Sequence, residues 1–213
     1  MVLKKATLVE EFLNRDAELP YGLTVREVQW AMNETYGLLY DLNGFLVRQG
    51  HERLEDMLLG NSFSGVVSEV IVRALVKHSK TLTRNLQVGG HPDLILRGRH
   101  ESDRVLRAPD GIEVKVSRQA GGWQGHNPEK VWLLIFRYKK LDELSEQNKP
   151  VEEREPLTFV EVLGAKINKS DWSFSGRSGE SRRTITASIT RAGMTRLRSN
   201  PIYRDPVFAI RSR

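Results

Sequence analysis

The sequence predicts a mixed α/β (α+β) domain, a mixed central sheet flanked by helices. Three observations predict it: apolar residues at helical intervals over the first 80 positions, short β-branched or aromatic runs bounded by Gly, Pro and Asp after position 90, and a length of 213 residues, enough for a core of its own. Thr24-Val25-Arg26-Glu27 approximates the Thr-x-x-Glu/Gln spacing of a helix start, and Val25, Val28, Met32, Tyr36 and Leu39 follow on one face. Gly44 and Gly50 punctuate the end of this section. A second helix is expected over Asn61 to Lys80, where Asn61 or Ser62 can cap and Phe63, Val67, Val70, Ile71, Ala74 and Leu75 form a wide apolar stripe. Leu94 to Leu96, Gly111 to Val116, Val131 to Tyr138 and Leu157 to Ile167 then read as strands, with Asp142 to Pro156 a solvated loop. Arg183 to Thr190 alternates with period two and reads as a further strand with one polar face. Met194 to Arg198 reads as a short helix that Asn200-Pro201 stops. The chain thus divides into a helical N-terminal section, 1–60, and a core, 61–213, ending in a basic β-rich section, together one compact domain.

Composition removes several functions. Without cysteine there is no disulfide framework, thiolate metal site or thiol nucleophile. The longest apolar run, Val131 to Phe136, is six residues, against the roughly 20 of a spanning helix, and the N-terminus shows no secretory signal, so a cytoplasmic protein with no membrane partner is expected. The net charge of +6 is unevenly spread: from Lys166 to Arg213 eleven Lys/Arg face three acids, +8, leaving −2 before it. That asymmetry suits a surface facing a polyanion. No Gly-rich nucleotide loop and no Gly-x-Ser-x-Gly elbow is present, and the five histidines lack zinc-site spacing.

The chemistry sits in Gly89-Gly90-His91-Pro92-Asp93-Leu94-Ile95-Leu96 and Gly111-Ile112-Glu113-Val114-Lys115. On a strand, Glu113 and Lys115 share one face while Ile112, Val114 and Val116 hold the other in the core. If the strand after Asp93 pairs with it, Asp93 and Glu113 converge on one hard cation such as Mg²⁺, which takes a couple of carboxylates and keeps several waters. The rival Pro109-Asp110-Gly111 is a turn sequence, so Asp110 is assigned to the turn and Asp93 to the metal.

Pro92-Asp93 followed by Glu113-Val114-Lys115 resembles the PD-(D/E)xK nuclease superfamily, with the helix over Asn61 to Lys80 standing where the first helix of that core stands. The resemblance covers about residues 61 to 138. It implies a restriction-endonuclease-like core of a helix, three strands, a helix and a further strand, and a Mg²⁺-dependent endodeoxyribonuclease acting on double-stranded DNA. It further implies Asp93 and Glu113 as metal ligands with the Val114 carbonyl as an extra one, Lys115 orienting or deprotonating the attacking water, and Glu69 as the acid of the first helix. Arg118, Gln119, Gln124 and His126, in the loop after Lys115, and Arg177, Arg182 and Arg183, in a Ser/Gly-rich loop with Trp172 and Phe174, are the expected nucleic-acid contacts. A type II restriction or defence enzyme, acting as a homodimer, is the expected kind. A repair or junction-resolving nuclease and a noncatalytic DNA-binding module are the alternatives.

Overall fold

The computed structural model describes residues 2–121, 123–125, 130–139, 144–174 and 187–209. Helix α1 (Val25–Arg48) opens on a complete capping box: the Glu27 N–H donates to Thr24 Oγ1 at 3.3 Å, and the Thr24 N–H donates to Glu27 Oε2 at 2.7 Å. The Thr-x-x-Glu spacing is therefore a full helix start. The N-terminal section is less helical than expected, since residues 2–23 contain a single 3₁₀ turn, Glu10–Phe12. This segment is tied to the far edge of the sheet, where the Asn14 N–H donates to the Ile202 carbonyl at 3.0 Å. A single turn, α2 (Leu54–Met57), leads into α3 (Gly60–His78), close to the expected range.

After α3 the chain builds β1 (Leu82–Arg84), β2 (Leu94–Leu96), β3 (Ile112–Ser117), β4 (Gln124–Gly125) and β5 (Val131–Lys139). One helical turn, α4 (Leu144–Gln147), stands in the expected loop before β6 (Thr158–Ile167). The chain continues through β7 (Trp172–Phe174), β8 (Ala187–Ile189), α5 (Arg191–Arg198), β9 (Pro201–Arg204) and α6 (Pro206–Ala209). The main sheet runs β1-β2-β3-β5-β6-β9, with β3 and β5 parallel and the other neighbours antiparallel, and β4-β8-β7 form a smaller sheet. The predicted mixed sheet with flanking helices is present. The described part of the strand expected over Arg183 to Thr190 is β8; Thr190 instead caps α5, accepting from the Gly193 N–H at 3.2 Å.

Side-chain alternation divides the burial between two cores. Ile112, Val114, Leu134 and Phe136 face α1 and α3, together with Phe63, Ile71 and Leu75. Ala6, Leu13 and Leu23 enter the same core, so the N-terminal section is part of one packed unit with the strands. On the other face Leu133, Ile135, Leu163 and Ile167 pack with Met194 and Leu197 of α5 and with Trp123 and Trp172. Trp172 is therefore core and not an exposed aromatic for a nucleic acid. No helix among the described residues is long and apolar enough to cross a membrane.

Candidate active site

Strand β2 meets β3 at Leu94↔Ile112 and then parts from it. Continuing that antiparallel register by one step sets Asp93 opposite Glu113, on the face away from α3. Where the ladder ends, a side chain takes over: the Val114 N–H donates to Asp93 Oδ2 at 2.8 Å. In a strand the N–H and C=O of one residue point to the same edge, so the Val114 carbonyl shares this edge with Asp93. Lys115 Nζ donates to Glu113 Oε1 at 3.3 Å, and His91 Nδ1 donates to Glu113 Oε2 at 3.0 Å. The side chains of His91, Glu113 and Lys115 are each about one-fifth exposed (23, 19 and 22%), mostly hidden but open to a ligand.

The two carboxyls respond to this setting in opposite ways. Burial and the neighbouring Glu113 charge push Asp93 up to about 7, against which its bond from Val114 and the charges of Lys115 and His91 act only in part. Burial also pushes Glu113 upward, but the His91 hydrogen bond and the Lys115 charge outweigh it and hold Glu113 below its ordinary value. One partly hidden acid thus keeps a proton while its neighbour stays ionised, a pattern found at acid–base and metal sites. Two oxygen donors, one of them needing a cation to give up its proton, suit Mg²⁺, which asks for one or two carboxylates and retains waters. Among the described residues no three His, Asp or Glu side chains converge as a metal-holding group, so the fit rests on two carboxylates and the Val114 carbonyl.

The turn that delivers Asp93 is organised by Asn85, which sequence reading missed. Its buried side chain donates to the carbonyls of Pro92 (3.1 Å) and Val105 (2.8 Å), while its own N–H donates to the Asp93 carbonyl at 2.8 Å. The available signal was an Asn placed just before a Gly-Gly turn, where a short amide can replace backbone pairing. His91, one of the five histidines whose spacing offers no zinc site, instead fixes Glu113. Asp110 behaves as turn sequence, accepting from Arg99 Nη1 at 2.7 Å. The adjacent Gly111 has φ +141°, and a Cβ there would fall on the Leu94 carbonyl oxygen and within 2.5 Å of Pro92 Cγ. Gly111→Ala is therefore expected to destabilise the fold by about 3 kcal/mol and to displace Asp93 from Glu113, checked by thermal denaturation with and without Mg²⁺.

A cleft of about 850 Å³ opens on the parted edge of β3. Lys115, Ser117, Arg118 and Gln119 line one wall, and the small polar face Gly60, Asn61, Ser64, Gly65 and Ser68 of α3 lines the other. Two expected contacts, Arg118 and Gln119, thus stand in the cleft. Gln124 lies in β4, paired with Ser188, while Trp123 is a core side chain only 3% exposed. His126, Arg177, Arg182 and Arg183 lie outside the described residues. Glu69 does not join the cleft: its carboxylate, 56% exposed, pairs with Arg84 Nη2 at 2.5 Å on the α3-facing side of β1. The long range of that partner, fifteen residues on, hid it from sequence reading, which offered only Arg73 on the same helix. Compared with protein-family models, with curated proteins and with solved structures, the chain finds no match in any of the three.

Proposed function

We propose that the chain is a Mg²⁺-dependent endodeoxyribonuclease of the PD-(D/E)xK kind, hydrolysing phosphodiester bonds in double-stranded DNA as a type II restriction or defence enzyme. The observation that carries this reading is the meeting of Asp93, Glu113 and Lys115 at the open edge of β3, beside a cleft with cationic and amide side chains. The succession α3, β1, β2, β3 and then a parallel β5 supports the restriction-endonuclease-like reading. The connection from β3 to β5 departs from it: the second helix of that core is not among the described residues, and β4 occupies part of the connection.

Asp93, Glu113 and the Val114 carbonyl would hold Mg²⁺, and Glu69, engaged by Arg84, is left out of that set. Bound there, the ion supplies Lewis-acid polarisation of a phosphate oxygen and a more acidic water. Asp93 must release its proton to serve as a ligand, and the Val114 N–H keeps its oxygen oriented while it does so. His91 and Lys115 share the two oxygens of Glu113, so the carboxylate fixes the ammonium beside the cleft. Lys115 orients the attacking water and offsets the negative charge that builds on the phosphoryl oxygens as the water oxygen bonds to phosphorus and the bond to the 3′ oxygen breaks. Arg118 and Gln119 stand along the cleft wall where backbone or base edges would pass. Symmetric cutting of both strands requires two such sites, hence a two-fold homodimer.

Incubation of the purified protein with plasmid and phage DNA, in Mg²⁺ and in EDTA, tests this reading. Discrete fragments that need Mg²⁺ are the expected result. Cleavage confined to branched or damaged DNA would move the assignment to a resolving or repair nuclease, and tight duplex binding with no cleavage of any DNA would make the chain a binding module.

A further inference from the structure

Helix α1 presents a face that the other described residues leave open. Trp30, Leu38 and Phe45 are 43, 47 and 54% exposed and, at 3.6 residues per turn, share one side of the helix with Gly37, Asp41 and Arg48. Trp30 is a fixed projection: the Arg26 guanidinium lies over its ring at 5.4 Å, and the His78 ring of α3 packs against it at 5.3 Å. Further along the helix a groove of about 440 Å³ opens beside Gly44, lined by Tyr40, Val47 and Arg48 of α1 and by Val2 and Leu3. The face therefore carries a bulky knob and a hollow about 21 Å apart along the axis. Gly37 lies midway between them. A Cβ at Gly37 would meet nothing within 4 Å, and one at Gly44 would meet only the flexible end of Arg48 at 3.3 Å. Glycine inside a helix weakens it relative to alanine, so packing within one copy gives no reason for either residue.

A two-fold axis at Gly37 gives a reason for both. Trp30, Gly37 and Gly44 are spaced by seven residues, the repeat that keeps one seam between two helices crossing at a shallow angle. Antiparallel pairing about Gly37 sets Trp30 of each copy opposite Gly44 of the partner subunit, so that knob and hollow meet twice by symmetry. On the axis the two Gly37 residues, lacking side chains, let the helices approach closely. The same register brings Asp41, which has no ion pair among the described residues, opposite Asn33 of the partner subunit. Glu34 stands one residue further along and already holds Lys77 Nζ at 3.0 Å, so the acid of one copy meets an ammonium of the other. Trp30, Leu38 and Phe45 leave about 300 Å² of side chain in water. That forms the apolar centre of an interface whose standard size is about 800 Å² per partner, with Arg26, Asn33 and Arg48 as its polar rim.

We propose that this face of α1 is the interface between two copies of the chain, with each Trp30 indole seated in the groove beside Gly44 of the partner subunit and Gly37 at the two-fold axis. A second copy is the occupant that the face itself specifies, because knob and hollow lie on one helix at equal distances from a central glycine. The interface stands on α1 and needs no nuclease activity. It supplies the two-fold pair that cutting both strands asks for.

The test is sedimentation equilibrium of the full chain over a range of concentrations, for the native protein, Trp30→Ala, Gly37→Leu and Val88→Ser. The native protein should reach twice the 24.3 kDa of one chain. The dissociation constant of the dimer should rise at least tenfold in Trp30→Ala and in Gly37→Leu. It should stay unchanged in Val88→Ser, which alters a side chain 92% exposed and outside α1. Gly37→Leu replaces a weak helix former with a strong one, so its helical circular dichroism should be undiminished while its dimer is lost, a combination that unfolding does not produce. The chain has no cysteine, so Gly37→Cys introduces a single thiol per copy. Copper–phenanthroline oxidation should join most of that variant into covalent dimers, the two thiols meeting at the axis, and should leave Val88→Cys as single chains. A chain that stays monomeric at every concentration, leaving the face to a different protein, would overturn the interface. So would a dimer that Trp30→Ala and Gly37→Leu leave intact, or one that Gly37→Cys does not cross-link. The readout is mass, so a protein that cuts no DNA still returns an answer.

Discussion

Lys115→Ala is expected to lower the single-turnover rate of DNA cleavage by about 10²–10⁴-fold while changing duplex affinity no more than about threefold. Lys115 is partly exposed on a strand whose opposite face, Ile112 and Val114, holds it in the core, so truncating it leaves the fold intact. Its interaction with Glu113 is a partly exposed ion pair, worth at most about 1 kcal/mol of stability. A loss confined to the chemical step would identify the ammonium as acting on the transition state. A loss confined to affinity would make it one more phosphate contact. Lys115→Arg keeps the charge but forks it, so it should recover binding and little of the rate.

Asp93→Asn is expected to abolish Mg²⁺ binding and cleavage, and to remove a pH dependence of stability that the native protein shows without metal. Folded Asp93 keeps its proton up to about 7, whereas an unfolded Asp loses it near its ordinary 3.8. Between those values the folded chain holds more protons than the unfolded one, so stability falls as pH rises through that window and levels off above it. The effect is on the order of a few kcal/mol, seen as a falling melting temperature between about pH 4 and pH 7 in EDTA. Glu113, held below its ordinary 4.5, acts oppositely and at lower pH: its contribution is present above 4.5 and is lost as pH falls through its depressed value. Asparagine carries no proton to lose, so the decline should vanish in the variant and its metal-free form should be the more stable of the two above pH 7. In the native protein Mg²⁺ competes with the Asp93 proton. Its affinity should therefore rise about tenfold per pH unit below about 7 and flatten above it, measurable by calorimetric titration.

The main frame of the fold was legible because its longest elements carry strong periodicity: α1, α3, β5 and β6 bury continuous or alternating apolar runs. Of the short strands, β2 was read where it stands and β8 lies within an expected one, but three others were not. β1, β7 and β9 are three or four residues long and owe their strand character to the neighbour they pair with, and Pro201 of β9 signals a helix stop when read alone. The triad was readable because alternation puts Glu113 and Lys115 on one face whatever the rest of the chain does. Asp93 joined them only through the assumption of pairing, which the Leu94↔Ile112 register supports. What sequence could not display is long-range: Asn85 reaching Val105, Arg84 taking Glu69, and Arg137 and Arg204 converging on Glu161 across three strands.

The central claim is that Asp93, Glu113 and Lys115 act together on a phosphodiester through Mg²⁺. Supercoiled plasmid incubated with the native protein and with Asp93→Asn, Glu113→Gln and Lys115→Ala at one Mg²⁺ concentration tests it most directly. Nicked or linear product from the native protein alone, abolished by EDTA, is the predicted result. Cleavage that persists in EDTA, or that all three folded variants carry out at the native rate, would contradict it.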